Sequence, residues 1–270
     1  MIRKYPRTRH VVGSRKQPGD EDLDSVPFSA LLGRHVVVEE KMDGANCAFS
    51  FSPEAELRLQ SRGHYLTGGP RERHFDLFKR WAHALDGRFF DVIGDRYVVY
   101  GEWLHVKHTV FYDALPHFFM EFDVLDLQSG DFLDTPSRDE LLRGLPLVPV
   151  KVLFTGELKD EAQLVEMLAA SHFVSPEAET NLRDSARALG LDSEQVIAQS
   201  DVTGLMEGLY IKVEEDGVVK ERLKFVRRDF ITRILESDGH WMERPIVPNA
   251  LCEGVDIFDP DACIRGGKAQ

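Results

Sequence analysis

Apolar and polar positions along the chain separate into short alternating runs and longer helical spacings. Before residue 35 the pattern is weak. The stretch from Gly13 to Phe28 is rich in turn-forming and charged residues and predicts an extended, loop-like arm. His35 to Glu40 then reads as a β-branched strand, and Asn46 to Phe51 as its antiparallel neighbour. Asp43-Gly44, a strong turn signal, lies in the link between them. Leu57 to Arg62 predicts a third strand. Phe75, Phe78, Trp81, Ala82 and Leu85 recur at helical spacing and predict a helix over His74–Leu85, with Gly87 as its stop.

Arg96–Trp103 and Phe118–Leu127 are apolar strands, the second carrying Glu121, Asp123 and Asp126. A helix start follows near Thr135, with Ser137 and Glu140 at capping-box spacing. Residues 160–199 predict two or three helices, one ending at Gly190. Gly208–Glu214 and Val218–Val226 return to strand, joined by a turn at Asp216-Gly217. The order predicts an α+β chain of antiparallel sheets flanked by helices, with a helical segment around 137–199. The expected divisions are a basic arm over 1–34, one main domain over 35–230 and a short tail over 231–270, without a separate C-terminal domain.

Composition narrows the class. With 270 residues, 43% hydrophobic and 29% charged, the chain is an ordinary globular protein with room for a sizeable core. No apolar run suggests a membrane span, and no apolar segment follows the basic N-terminus as in a secretory signal. Cys47, Cys252 and Cys263 are odd in number and lack metal-site spacing, so the expected location is the cytoplasm. The net charge of −13 excludes a non-specific nucleic-acid coat. Two local clusters run against it: Arg3, Lys4, Arg7, Arg9, Arg15 and Lys16, and Lys220, Arg222, Lys224, Arg227 and Arg228.

The candidate chemistry sits at strand ends. Lys41 closes an apolar strand and precedes Asp43-Gly44, which suits a nucleophile once its amine is neutral. Glu102 follows Tyr100-Gly101, and Glu207 precedes Gly208. Two such carboxylates suit a ribose and a divalent ion that also binds phosphate oxygens. Lys224 lies inside an apolar strand as a candidate phosphate clamp. His105, Lys107 and His108 read as ordinary loop residues, and Cys47 as a small core residue. Neither a dinucleotide fingerprint nor a P-loop occurs.

In this order the pieces resemble the covalent nucleotidyltransferases, the superfamily of ATP-dependent ligases and mRNA capping enzymes, and most closely its RNA-ligase-2-like branch. The elements are Lys41-Met42-Asp43-Gly44 with Glu40 before and Asn46 after, Ser61-Arg62, Val98-Val99-Tyr100-Gly101-Glu102, Glu121-Phe122-Asp123, Glu207-Gly208-Leu209-Tyr210-Ile211-Lys212, and Leu223-Lys224. The resemblance implies an ATP-dependent RNA ligase of nucleotidyltransferase (ATP-grasp-like ligase) fold, using Mg²⁺ or Mn²⁺ and acting in RNA repair.

It also implies roles. Lys41 would take AMP from ATP, and Lys224 would contact the α-phosphate and depress the Lys41 pKa. Arg62 would hold the phosphate and ribose region, and Glu102 the ribose hydroxyls. Phe122 would stack on adenine. Glu207, with Glu102, would organise the metal, and Glu40, Asn46 and Lys212 would complete the nucleotide site. RNA 5′-phosphate and 3′-hydroxyl ends would be the partners, prepared by an end-healing kinase or phosphatase. The family often has a second lysine where this chain has Val226, with Arg227 as the nearest cation. Arg7, Arg9 and His10 of the arm are expected on phosphate, of RNA or of pyrophosphate. The alternatives are a DNA ligase, a GTP-dependent capping guanylyltransferase, or a catalytically silent relative that kept the fold.

Overall fold

The computed structural model describes residues 2–16, 19–230 and 246–261. The described residues form eleven strands: β1 (Arg9–Val11), β2 (Ser25–Val26), β3 (His35–Lys41), β4 (Ala45–Phe51), β5 (Leu57–Ser61), β6 (Tyr97–Trp103), β7 (Phe119–Asp126), β8 (Val148–Pro149), β9 (Val152–Glu157), β10 (Gly208–Glu215) and β11 (Val218–Val226). Their α-helices are α1 (Asp76–Ala84), α2 (Asp86–Ile93), α3 (Thr135–Leu141), α4 (Glu161–Met167), α5 (Ala178–Ala188) and α6 (Ser193–Ala198). The expected α+β class holds.

Two sheets carry the fold. One runs β2-β1-β11-β10-β3-β9 and the other β5-β4-β6-β7-β8. Most pairs are antiparallel, but β1 lies parallel to both β11 and β2, and β7 parallel to β8. The sheets are therefore mixed rather than purely antiparallel. The stretch expected as loop-like supplies β2, and β1 comes just before it, with His10 opposite Lys224.

β3 and β4 are not neighbours, contrary to expectation. β3 pairs with β10 and β9, while β4 pairs with β5 and β6. The Lys41–Ala45 link crosses from one sheet to the other instead of closing a hairpin. Gly87 does not stop a helix either: it lies in α2, and the break falls at Leu85. α3 is capped by Asp134, whose side chain accepts from the Ser137 amide at 2.9 Å, so Ser137 is inside the helix. The 137–199 stretch is not helical throughout, because β8 and β9 interrupt it. The β10–β11 turn forms as expected, with positive φ at both Asp216 and Gly217.

The larger apolar core lies between the β4–β7 sheet and helices α1 and α2. Phe49, Phe78, Trp81, Phe89 and Phe119 are fully buried there, each side chain contributing about 1.5–3 kcal/mol. A second core under the other sheet gathers Val36, Val38, Leu209, Ile211 and Leu223 against Leu164 of α4. Residues 246–261 pack on the first core: Asn249 accepts from the Tyr112 amide and donates to the Leu104 carbonyl, and Ile257 is buried.

A buried ionic cluster joins the two sheets. Glu39 of β3, Lys212 of β10 and Arg222 of β11 come from one; Glu121 and Asp123 of β7 come from the other. Arg138 of α3 reaches Glu39 at 3.1 Å and Glu121 at 3.2 Å. Lys212 lies 3.0 Å from Glu39 and 3.1 Å from Asp123, and Arg222 is 2.8 Å from Asp123. Three carboxylates thus face three cations. Burial alone would raise the Asp123 carboxyl, but Lys212 and Arg222 outweigh it and hold it at about 2.

Removing one member leaves a buried charge without its partner. Arg138→Met is expected to cost about 3–5 kcal/mol in urea unfolding. Adding Glu121→Gln should cost less than the sum of the two single changes.

Candidate active site

β3, β6, β10 and β11 end around one cleft of about 1070 Å³. Its lining includes Glu40, Lys41, Asn46, Arg62, Glu102, Phe122, Glu207 and Lys224. With Arg7, nine of the sequence candidates thus converge. Register explains the centre. Lys41 is opposite Gly208, so Glu207 arrives beside it, and Lys41 Nζ donates to Glu207 Oε2 at 2.6 Å. Asn46 faces Glu102 across β4 and β6.

The motif glycines are needed for space. A Cβ on Gly208 would lie 2.5 Å from the Phe225 carbonyl oxygen. One on Gly101 would lie 2.5 Å from the Phe119 ring, and one on Gly44 2.8 Å from the Trp103 carbonyl oxygen. Each glycine lets two chain segments close up beside a candidate group.

The turn after Lys41 is fixed to the loop following β6. Asp43 Oδ2 accepts from the amides of Thr109 at 2.7 Å and Val110 at 2.8 Å, and the Asp43 amide donates to Tyr112 Oη at 2.9 Å. Glu40 is buried and held from the far side. Ser171 Oγ donates to it at 2.6 Å, and the His172 amide and ring nitrogen lie at 3.2 and 2.9 Å. Lys107 and His108, expected as ordinary loop residues, line the cleft, whereas His105 packs on Trp103 and Phe118.

Electrostatics differ from the expectation in one respect. Burial would lower the Lys41 amine, but Glu207, Glu102 and Asp43 outweigh it and hold it above the ordinary lysine value. The protein's own field therefore does not give the lowering expected from Lys224. The effect falls on Lys224 itself, lowered by burial and by Lys41 against the opposing pull of Asp20. Burial, Glu207 and Asp43 push Glu102 up to about 8, against the pull of Lys41. A carboxylate in such a field is poised to accept a cation. Among the described residues no group of three or more histidine, cysteine or acidic side chains could enclose a metal. Glu102 and Glu207 fit instead a divalent ion carried in with phosphates, for which one or two carboxylates suffice.

Four candidates stand elsewhere. Lys212 belongs to the buried cluster and does not line the cleft. Arg227 donates to the Met206 carbonyl and pairs with Asp201 and Asp229. Arg9 pairs with Glu221 outside the cleft. His10 is fully buried, with its ring 2.7 Å from Ser14 Oγ and 3.3 Å from Asp20. Of the three arm residues only Arg7 lines the cleft, bonded to Asp22 at 2.7 Å. Asp20 has no motif around it, yet it binds Lys224 and His10 and lies 3.7 Å from Arg7. Only the folding of β1 against β11 brings it there.

Residues 34–226 match the RNA ligase family, and the chain belongs to that family. Among solved structures, an archaeal ATP-dependent RNA ligase is 21% identical, covering 83% of this chain and 48% of its own, with a TM-score of 0.48. A mutant RNA ligase of Naegleria gruberi with AMP and Mn is 15% identical, covering 83% and 56%, with a TM-score of 0.49. Another mutant of that ligase, with ATP and Mn, is 16% identical, covering 73% and 51%, with a TM-score of 0.46. The chain spans about half the length of these structures. No curated protein matches it.

The Glu102 shift gives a stability signature. The folded protein keeps a proton that the unfolded chain loses above the ordinary value of 4.5. This contribution is complete below that value and disappears as pH rises through about 8. Glu102→Gln removes the titration. Relative to wild type, its stability in urea should rise between about pH 5 and about pH 9.

Proposed function

We propose that the protein is an ATP-dependent RNA ligase that joins 5′-phosphate and 3′-hydroxyl ends through AMP carried on Lys41. The observation that carries this reading is the 2.6 Å Lys41–Glu207 pair, set in one cleft with Glu102 and Lys224 in a chain of the RNA ligase family. Lys41 Nζ, held as an ammonium by its carboxylate neighbours, first gives a proton to Glu207 Oε2, the acceptor within reach, and the neutral amine then attacks the α-phosphorus of ATP. A P–N bond forms, the bond to pyrophosphate breaks, and the second proton leaves the nitrogen to solvent with the departing pyrophosphate. A 5′-phosphate oxygen then displaces the lysine, and a 3′-hydroxyl displaces AMP to seal the strand.

Catalysis of this kind rests on positioning and on cations around the transferring phosphoryl group. Lys224 and Arg7 supply cations from the β1–β11 side, and Arg62 from the rim. Phe122 offers a ring for the base, and Glu102 a partner for the ribose hydroxyls. A divalent ion arriving with ATP would be held by Glu207 and Glu102 and would offset charge on the phosphates. Such ends are those left by a healing kinase or phosphatase, and their joining is the closing step of RNA repair.

Incubation with α-labelled ATP and a divalent ion tests the reading. Wild type should gain the label and the mass of one AMP, and Lys41→Ala should gain neither. GTP should not label it. An unlabelled wild type whose intact mass shows no AMP already bound would overturn the proposal.

Asp20 yields a second expectation. Its carboxylate occupies Lys224, which a polyphosphate would otherwise engage. Asp20→Asn should lower thermal stability yet tighten ATP binding about two- to fivefold, the equivalent of a partly exposed ion pair. A purely structural role would lower both. Calorimetric titration and thermal melts separate the two cases.

A further inference from the structure

In the two basic clusters expected from the sequence, Arg7, Arg9, Arg222, Lys224 and Arg227 each face a carboxylate of the protein. A third basic run lies elsewhere. Between residues 58 and 80 the chain has six cations, Arg58, Arg62, Arg71, Arg73, Lys79 and Arg80, against two acids, Glu72 and Asp76. In a chain with a net charge of −13 this is a marked local reversal.

Folding sharpens the reversal. Glu72 is buried and turned inward: it accepts from the amides of Thr67 at 3.1 Å and Gly68 at 2.8 Å, and pairs with Lys79. Asp76 pairs with the same lysine at 2.8 Å. Arg62, His64, Arg73 and Arg80 are all exposed. Arg62 and Gly63 form the tip of a tight turn closed by the Ser61 amide donating to the His64 carbonyl at 2.9 Å.

Both ends of this segment reach the cleft, because Arg62, Gly63 and His74 line it. His74 is buried, and its carbonyl accepts from Trp103 Nε1 at 3.0 Å, so the rim is anchored to the core beside β6. Its outer face is thus a fixed, cationic edge of the cleft that holds Lys41.

We propose that the 62–73 rim is the docking surface for the RNA strand, taking its phosphates along Arg62, His64 and Arg73 and delivering an end to the cleft. The proposal rests on the ligase reading. It accounts for a polyanion approaching a protein of negative net charge: the long-range field is unfavourable, but the ridge beside the cleft has the opposite sign. Binding through phosphates is sequence-independent and depends steeply on salt.

The test uses the full chain and a 5′-phosphorylated single-stranded RNA of mixed sequence. Arg73 and His64 lie outside the proposed nucleotide site, so His64→Glu with Arg73→Glu should leave labelling by ATP unchanged. RNA affinity should fall about tenfold, and the dependence of log affinity on log salt should become shallower by about 0.7 for each phosphate no longer neutralised. The milder His64→Gln with Arg73→Gln should show the same direction with an unchanged melting temperature. Normal labelling with unchanged RNA affinity and salt slope in both variants would overturn the rim while leaving the ligase reading intact. A wild type that neither takes label nor binds RNA would overturn both.

Discussion

The structure depends on the ionic cluster buried between the two sheets. Five of its six charged groups are fully buried and Arg222 nearly so, and each must be met by another at close range. That requirement fixes how the sheets meet, because Glu39, Lys212 and Arg222 come from one and Glu121 and Asp123 from the other. The same strands carry the cleft. Glu39 is two residues before Lys41, and Phe122 lies between Glu121 and Asp123. On β3 a member of the ionic cluster and a candidate site residue thus share one face, and on β7 they alternate between faces. An apolar replacement could hold the sheets together. It would not set their relative position through specific charge pairs.

The cleft itself is crowded with charge of both signs. Lys41 faces Glu207 with Glu102 and Asp43 near by, and Lys224 is held by Asp20. The arrangement strains the protonation of its members: Glu102 is pushed towards its neutral form and the Lys41 amine is held in its charged one. Conflicts of this kind concentrate where a protein handles another charged group. The glycines beside these groups serve the same end by removing a side chain where two segments must nearly touch.

Much of the cleft was legible in the sequence because the chemistry-bearing residues sit at the ends of well-patterned strands. Lys41, Glu102, Glu207 and Lys224 needed only the positions of β3, β6, β10 and β11. What failed was pairing. Asp43-Gly44 has the local chemistry of a hairpin turn, yet the strands it links enter different sheets, and a turn signal has no information about that. β1 and β2 are too short to show a period, and β11, one of the two partners of β1, lies more than two hundred residues away. Lys212 looked available because a lysine on a strand usually reaches water; its carboxylate partners come from β3 and β7. Asp20 and the Asp43 contacts had no signal at all, because nothing near them in sequence marks what they touch.

The order of the strands has a consequence for synthesis. Lys41 is made early, but β3 lies between β9 and β10, and β10 is covered in turn by β11. The lysine has no neighbouring strand until residue 157 exists and no Glu207 until about fifty residues later. The first strand then has to find the last, parallel to it, before Asp20 can reach Lys224. Contacts of such long separation form late and slowly. A chain emerging from the ribosome therefore presents Lys41 long before the carboxylates that surround it in the folded protein.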